Sequence, residues 1–362
     1  MSTSTFIIAE AGVNHNGSLD TALRLIDAAR AAGADAVKFQ TFKSESVISR
    51  KALKADYQIA ATGGGESQLE MVKKLELDLA AHLRLKEHCS AAGIRFLSTP
   101  FDEGSVDLLV NSLDVPLLKI PSGEITNGPL LLKVASTGRP AILSTGMSDL
   151  GDIERALGVL AFGYLGIRAA PGLAAFSDAY RSNDGQAVLA RNVRLLHCTT
   201  EYPAPFAEVH LRVMDTLGAA FGLPVGYSDH TPGIEVPIAA VARGAVIIEK
   251  HFTLDREQAG PDHRASLEPP MLKAMVEAIR NTEVALGGTI KCATPSEARN
   301  QPIARKSLVA ARDIARGEIF SKENLTAKRP GNGVSPMDFW LYLGERARRA
   351  YRADDLIDLH ED

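Results

Sequence analysis

Short apolar runs alternate along the chain with longer stretches in which apolar residues recur every three or four positions. The longer stretches predict helices at residues 19–32, 80–92, 151–162 and 270–286. Strands alternating with helices are typical of parallel βα units. The apolar runs predict eight such strands, which read FIIAEAG from Phe6, AVKFQT from Ala36, RFLSTP from Arg95, LLKIPSGE from Leu117, AILSTGM from Ala141, RLLHCTTEYP from Arg194, PVGYSDH from Pro224 and VIIEKHF from Val246.

Eight parallel βα units within roughly 290 residues predict an α/β protein with a (β/α)8 TIM barrel. A doubly wound sheet needs fewer strands and a glycine-rich first turn. The sequence AEAGVNHNG after the first strand lacks the GxGxxG spacing of that turn. The barrel is therefore the preferred fold.

The pattern changes at the end of the predicted barrel. The polar stretch 289–301 predicts a linker between a catalytic domain at 1–288 and a smaller domain at 302–362. In the smaller domain, short apolar runs are separated by ARG and PGNG turns, which predicts mixed β and irregular structure. About 60 residues bury little core, so we expect this domain to rest on another surface, such as that of a partner subunit.

The composition excludes several classes of function. The net charge of the 362 residues is −4, which leaves no basic face to neutralise nucleic acid phosphates. The three cysteines are far apart in sequence, as expected of reduced thiols rather than a disulfide framework or a zinc cluster. The N-terminus does not read as a signal peptide, and no apolar run approaches the roughly 20 residues that span a bilayer. We therefore expect a soluble cytoplasmic protein that binds neither nucleic acid nor membranes.

Each predicted strand ends in polar side chains. In a (β/α)8 barrel the C-terminal ends of all strands converge on the face that carries the active site. These side chains are therefore expected to line one shared cavity, which we call the cup. The candidates are Glu10, Lys38, Gln40, Ser98, Thr99, Lys119, Ser122, Glu124, Ser144, Thr145, His197, Thr199, Ser228, His230, Glu249, Lys250 and His251.

Two lysines in this set interrupt apolar strands. Lysine is a poor strand former, and an ammonium group that is buried needs an anionic partner. Lys38 and Lys119 therefore predict a pocket for a phosphate or carboxylate, although any single hydroxyl near them is equally consistent with a local hydrogen bond. The hydroxyls expected beside them belong to Thr99, Ser122, Ser144 and Ser228.

Two histidines end neighbouring strands. The imidazoles of His230 and His251 could share one divalent metal ion, and two protein ligands would leave positions open for water and substrate. Such a metal acts as a Lewis acid on a carbonyl oxygen. The alternative is that each histidine hydrogen-bonds a neighbouring strand. His197 fits this alternative, and His15 in the first loop fits either a site or a turn.

The order of the motifs resembles the sialic acid synthases, also called N-acetylneuraminate synthases. The resemblance implies a barrel followed by an antifreeze-like (SAF) domain, in a domain-swapped homodimer in which the small domain of one subunit caps the barrel of the other. It also implies a transferase that condenses phosphoenolpyruvate with an N-acylated hexosamine, releasing phosphate and forming a nine-carbon 2-keto acid. It spans nearly the whole chain and is carried by AEAGVNHNG, VKFQTF, STPF, KIPSGE, LSTGM, LHCTTEYPAP, GYSDHTPGIEVPIAAVARGA, EKHFTLDR, GPDHRASLEP and KRPGNGVSP.

The resemblance implies roles for individual residues. His230 and His251 are expected to hold a divalent metal, with Mn²⁺ preferred and Mg²⁺ or Co²⁺ as alternatives. Arg329 is expected to reach across the dimer to the N-acetyl group of the sugar. The expected catalytic residues are Lys38, Lys119, Glu249 beside the metal, and Glu124, which we assign to the attacking water. The expected substrate-binding residues are Glu10, Gln40, Thr99, Ser122, Ser144, Tyr202, Ser228 and Asp262.

The sequence leaves the sugar open. The first expectation is N-acetylmannosamine, which gives N-acetylneuraminate, and the alternative is 2,4-diacetamido-2,4,6-trideoxymannose, which gives N,N'-diacetyllegionaminate. The segment GPDHRASLEP argues against pseudaminate. The connection 165–188 and Thr200 have no assigned role.

Three other functions make different predictions. A condensation that forms a shorter keto acid would use a phosphorylated sugar and need further Arg or Lys at the sugar end. A barrel aldolase would need a Schiff-base lysine or an acid and base pair, and would leave the anion pocket unexplained. An inactive carbohydrate-binding barrel would have lost Lys38, Lys119, His230 or His251, and all four are present.

Overall fold

The computed structural model describes residues 4–55, 58–59 and 62–358. It divides into two compact units, Met1–Gly287 and Gly288–Asp362. The first unit contains all eight predicted strands. They are β1 (Phe6–Gly12), β2 (Ala36–Thr41), β3 (Arg95–Pro100), β4 (Leu118–Ile120), β5 (Ala141–Ser144), β6 (Val193–Cys198), β7 (Val225–Asp229) and β8 (Ile247–His251).

The eight strands form a nearly closed parallel barrel, which confirms the predicted fold. They pair in the order β3-β2-β1-β8-β7-β6-β5-β4, and within the described residues the ladder is open only between β3 and β4. On β1, Glu10 lies opposite Lys38 of β2 on one side and opposite His251 of β8 on the other. All strands therefore end at one rim, which we call the C-terminal rim.

Helices connect the strands. Leu19–Ala32 begins where the Ser18 side chain accepts a hydrogen bond from the Thr21 amide, and ends at Gly33 in the left-handed conformation. The four helices predicted from the sequence lie within two residues of their expected bounds. The helices of this unit with eight or more residues are Leu19–Ala32, Leu79–Ala92, Gly128–Ser136, Leu150–Tyr164, Leu173–Arg181, Asn183–Asn192, Val213–Phe221, Glu235–Ala242 and Pro269–Leu286.

Two connections are longer than the rest. Between β2 and Leu79–Ala92 the chain forms the short helices Ser44–Val47 and Gln68–Lys73. Between β5 and β6, the connection 165–188 contains Leu173–Arg181 and the start of Asn183–Asn192.

The second of these connections is a packed helical layer. The Phe176 ring meets Phe162 edge-on at 5.2 Å between centroids. A Cβ atom at Gly158 would lie only 2.9 Å from the Phe176 carbonyl oxygen, so glycine permits this close approach.

The second unit has its own core around an antiparallel pair, β9 (Ser307–Ala310) and β10 (Leu325–Lys328). It also contains the short helix Phe339–Tyr342. Its buried apolar side chains are Leu308, Ala310, Ile314, Phe320, Leu325, Val334, Tyr342, Ala347, Tyr351 and Ile357.

The polar stretch 289–301 contains most of the helix Pro295–Ala304, which the sequence pattern does not predict. A capping box starts this helix, in which the Thr294 and Glu297 side chains each bond the other's backbone amide. The helix buries no side chain, so its sequence has no apolar periodicity to reveal it.

Across the described residues, the structure contains no helix with the length and apolar character required to cross a membrane.

Candidate active site

A cavity of about 530 Å³ lies at the C-terminal rim of the barrel. Every residue to which the family resemblance assigned a role lines it except Arg329, which belongs to the second unit, where its Nε donates to the Ala304 carbonyl. The residues that were expected and do line it are Glu10, Lys38, Gln40, Thr99, Lys119, Ser122, Glu124, Ser144, Tyr202, Ser228, His230, Glu249, His251 and Asp262.

Lys38 is buried on β2 and makes charged contacts on both sides. Its Nζ lies 2.6 Å from Glu10 Oε2 and 3.7 Å from Glu249 Oε2, and it donates a hydrogen bond of 3.0 Å to Thr99 Oγ1. Burial alone would lower the pKa of Lys38, but the carboxylates of Glu10 and Glu249 outweigh it and raise that pKa. Lys38 therefore remains a cation.

Lys119 is the second buried cation of the cavity. Its Nζ donates to Ser144 Oγ at 2.7 Å and lies 3.6 Å from Glu249 Oε1, which also accepts a hydrogen bond of 3.0 Å from Ser228 Oγ. Burial lowers the pKa of Lys119, although the Glu249 carboxylate opposes this. One carboxylate, that of Glu249, thus lies between the two lysines.

The two buried carboxyl groups differ in charge. Burial raises the pKa of Glu10 to about 7, against the opposing effect of Lys38. Burial also acts to raise the pKa of Glu249, but Lys119 and Lys38 together lower it to about 2. Glu249 is therefore ionised at neutral pH while Glu10 is partly protonated. When Glu10 is neutral, the two lysines, Lys38 and Lys119, outnumber the single charged carboxylate of Glu249. The net charge of this group is then positive, which suits an anionic ligand.

A group of small side chains lies between Lys119 and β6. We call it the cradle, and it consists of Ser122, Gly146, Cys198 and Thr200. The Gly146 amide donates to Ser122 Oγ at 3.0 Å, and that hydroxyl also lies 3.1 Å from Cys198 Sγ. A Cβ at Gly146 would approach Thr200 Oγ1 to 2.3 Å and Ser122 Oγ to 2.8 Å. Thr200 Oγ1 is buried and has no hydrogen-bond partner. Thr200 Oγ1 therefore retains hydrogen-bonding capacity beside the anion pocket.

Gly146, Cys198 and Thr200 were not assigned to the site from the sequence. Gly146 stands within the quoted motif LSTGM, directly after two strand-end hydroxyls. A glycine at that point was the only signal available, because only the folded chain brings Thr200 and Ser122 against it.

The paired histidines have properties that fit a divalent metal. His230 Nδ1–H donates to the Thr199 carbonyl at 2.6 Å, which leaves the Nε2 lone pair free for a ligand. His251 Nδ1 is buried without a hydrogen bond, and the two ring centroids are 5.4 Å apart. Burial lowers the pKa of both histidines, which keeps them neutral as metal ligands require.

Other groups complete the metal side of the cavity. Tyr202 packs on His230 at 4.2 Å between centroids, and Asp262 Oδ2 lies 4.0 Å from His251 Nδ1. Burial raises the pKa of Asp262 to about 6. Across the described chain, no three His, Cys, Asp or Glu side chains converge on one point. A metal held by the two histidines would therefore take its other ligands from water or substrate.

Glu124 lies at the edge of the cavity in the turn Ser122–Glu124 that follows β4. It is half-buried and accepts a hydrogen bond of 2.7 Å from Asn127 Nδ2. Its carboxylate is thus held in place while keeping access to water, as a group that orients a water molecule requires.

The expectation that all strand-end polar groups share the cup is wrong for alternate residues. Successive side chains of a strand point to opposite faces, so the neighbours of inward-facing residues point toward the helices. Ser98 hydrogen-bonds Thr41, and Thr145 donates to the Leu196 carbonyl. His197 donates to the Val209 carbonyl, and Lys250 is buried against Asp229, so neither lines the cavity.

These features define a parallel (β/α)8 barrel whose rim combines a buried anion pocket with a histidine pair. The chain belongs to the NeuB family, whose model matches residues 25–291, and the SAF domain model matches residues 305–360. The predicted resemblance to the sialic acid synthases is confirmed.

Named relatives and a solved structure extend this assignment. The N,N'-diacetyllegionaminic acid synthase of Campylobacter jejuni is 54% identical over 353 residues, covering 98% of both chains. The enzyme of the same name from Legionella pneumophila is 44% identical, covering 95% of this chain and 91% of that one. The crystal structure of N-acetylneuraminic acid synthetase from Leptospira borgpetersenii matches with a TM-score of 0.67 and 34% identity, covering 82% of this chain and 90% of that chain.

Proposed function

We propose that this chain condenses phosphoenolpyruvate with 2,4-diacetamido-2,4,6-trideoxymannose to form N,N'-diacetyllegionaminate and phosphate. The observation that carries the condensation is the pair of buried lysines, Lys38 and Lys119, that share the Glu249 carboxylate within one cavity. The names of the two relatives at 54% and 44% identity support this sugar over N-acetylmannosamine, the first expectation from the sequence.

Phosphoenolpyruvate would bind in the anion pocket. Its phosphate and carboxylate need several cationic and hydroxyl donors, and the pocket supplies them from five strand ends. The lysines are already paired with Glu10 and Glu249, so the ligand would replace these contacts in part. The residues assigned to this role are Lys38, Thr99, Lys119, Ser122, Ser144 and Ser228.

The sugar would lie between the anion pocket and the histidines. His230 and His251 would hold a divalent metal, for which Mn²⁺ is our first choice, and which would supply Lewis-acid polarisation of the aldehyde oxygen. Glu10, whose pKa is raised to about 7, can donate a hydrogen bond to a sugar hydroxyl or accept one from it, and Asp262, whose pKa is raised to about 6, would mainly accept one. Gln40 and Tyr202 would complete the sugar contacts.

The roles of the side chains in the condensation follow from the charges that develop on C2 and on the departing phosphate. Carbon C3 of the enol bonds to the aldehyde carbon, which leaves positive character at C2 for a water molecule to quench. Glu124 would orient that water and accept its proton. The tetrahedral centre then breaks its bond to the phosphate oxygen, and Lys38 and Lys119 stabilise the departing negative charge.

The second unit would act through a homodimer. Arg329 is exposed, and we propose that it reaches the N-acetyl group of a sugar bound by the partner subunit's barrel. This role would account for a small domain that places a cation in a turn.

The test is release of phosphate from phosphoenolpyruvate in the presence of Mn²⁺. The two sugars, 2,4-diacetamido-2,4,6-trideoxymannose and N-acetylmannosamine, are compared at equal concentration, and EDTA is the control. Release with the diacetamido sugar is expected to be faster. Faster release with N-acetylmannosamine would identify a neuraminate synthase instead, and no release with either sugar from folded, Mn²⁺-loaded protein would refute the condensation.

A further inference from the structure

One wall of the cavity differs chemically from the anion pocket. It is formed by the connection after β2 and by the residue that follows β3. The rings of Phe42 and Phe101 meet edge-on at 6.1 Å, and Leu75 is buried against Phe42 in the same small cluster. We call this surface the apolar wall, and it consists of Phe42, Val47, Ile48, Met71, Val72, Leu75 and Phe101.

The connection that forms the wall is rich in cations, yet none of them lines the cavity. Lys54 is buried, but its Nζ donates to Thr62 Oγ1 and the Gly63 carbonyl and lies 3.4 Å from Glu66. Lys74 also pairs with Glu66. The remaining lysine pairs are Lys43 with Glu76 and Lys73 with Glu45.

No lysine or arginine of this connection is therefore placed, among the described residues, to bind a second phosphate in the cavity. In the part of the first unit that the structure describes, Lys38 and Lys119 are the only lysine or arginine side chains that line the cavity. Both are paired with Glu10 or Glu249 and are assigned to phosphoenolpyruvate. The polar side chains beside the apolar wall are uncharged amides, those of Gln58 and Gln68.

We propose that the apolar wall selects the sugar at the end far from its aldehyde, favouring a methyl group over a hydroxymethyl group and rejecting a phosphate. This proposal rests on the proposed function and adds the residues that choose the substrate. A phosphate placed against Met71 and Val72 would lose its hydration without gaining a cation. A methyl group loses no hydrogen bond there and gains apolar contact.

The expected discrimination has a known scale. One methylene or methyl group in an apolar pocket changes kcat/KM by about 10-fold to 200-fold. We therefore expect kcat/KM to fall by at least about 10-fold from 2,4-diacetamido-2,4,6-trideoxymannose, the 6-deoxy sugar, to 2,4-diacetamido-2,4-dideoxymannose, which differs from it only at C6, with no measurable turnover of the 6-phosphate of the latter sugar.

The experiment measures phosphate release with these three sugars for the wild-type protein and for Met71→Gln and Val72→Asn. Each substitution adds an amide to the wall and leaves a side chain of similar length. We expect kcat/KM for the 6-deoxy sugar to fall about 10-fold or more in each variant, while KM for phosphoenolpyruvate stays constant. Leu69→Gln is the matched control, because Leu69 lies in the same helix, Gln68–Lys73, but does not line the cavity.

Two results would refute the proposed role of the apolar wall without refuting the condensation reaction. One is a wild-type protein that uses the 6-phosphate sugar as well as the 6-deoxy sugar. The other is an equal loss in Leu69→Gln and in both wall variants. Phosphate release with none of the three sugars would instead refute the proposed function and the wall's role with it.

Discussion

Lys250 and Asp229 lie directly opposite each other on β8 and β7 and form an ion pair of 2.5 Å with no exposed surface on either side chain. Lys250 Nζ also donates to the Thr231 carbonyl, and Asp229 Oδ1 accepts from the Thr231 amide. Each member of the pair immediately precedes one of the two cavity histidines. The pair therefore fixes the strand ends that carry His230 and His251 relative to each other.

Removing one partner of this pair should be costly. Lys250→Met leaves the Asp229 charge buried without a cationic partner, so we expect the free energy of unfolding to fall by about 3–5 kcal/mol. The double variant Lys250→Met with Asp229→Leu should recover most of that loss, because apolar side chains then fill the space. Urea unfolding of the three proteins measures both effects. A double variant no more stable than Lys250→Met would contradict this interpretation.

Metal dependence should reside in the histidine pair. We expect His230→Ala with His251→Ala to abolish Mn²⁺ binding measured by calorimetry, and EDTA to stop turnover of the wild-type protein. His197→Ala is the matched control, since His197 lies next to the last residue of the neighbouring strand β6 but donates to the Val209 carbonyl. Normal Mn²⁺ binding in the double variant would refute the assignment.

The fold could be predicted because the apolar runs, the turn residues and the helix caps all indicate the same strands and helices. Eight apolar runs are each bounded by turn residues, and the helices between them have caps such as Ser18 and Gly33. The helix Pro295–Ala304 escaped prediction because capping, rather than an apolar face, defines it.

The site could be predicted in part. Buried lysines such as Lys38 stand out in an apolar strand, whereas the hydroxyl cradle around Gly146 depends on contacts between β4, β5 and β6. The sequence also does not show whether a cationic side chain faces the cavity. Lys54, for example, pairs with Glu66 and does not line the cavity, and only the fold shows this.

The cradle beside Lys119 should not tolerate an added methyl group. In Gly146→Ala the new Cβ would press against Thr200 Oγ1 and Ser122 Oγ, so we expect KM for phosphoenolpyruvate to rise about 10-fold or more. Gly123→Ala is the control, because a Cβ at Gly123, which lines the same cavity, meets no atom within 4 Å. Steady-state kinetics with the sugar held at saturation separates the two variants. Equal KM values would show that the cradle is not part of the phosphoenolpyruvate site.

Arg329→Ala tests the contribution of the second unit. Loss of the guanidinium should raise KM for the sugar about 10-fold and leave KM for phosphoenolpyruvate unchanged, because the assigned contact is to the N-acetyl group alone. Arg312→Ala serves as the control, since Arg312 is an exposed arginine of the same unit that pairs with Glu318. An unchanged sugar KM in Arg329→Ala would refute the role across the dimer.

The protonation of Glu10 should set the pH dependence of phosphoenolpyruvate binding. Its pKa is raised from 4.5 to about 7, so its contribution to stability is fully present below pH 4.5 and is lost as the pH rises through about 7. Above that pH the ionised carboxylate competes with phosphoenolpyruvate for Lys38, which lies 2.6 Å away.

We therefore expect KM for phosphoenolpyruvate to rise between about pH 6 and about pH 8.5, with an inflection near pH 7. Glu10→Gln removes the titrating group and should abolish the inflection, while Asp262→Asn, on the histidine side of the cavity, should retain it. An inflection that persists in Glu10→Gln would assign the titration to phosphoenolpyruvate or to another side chain.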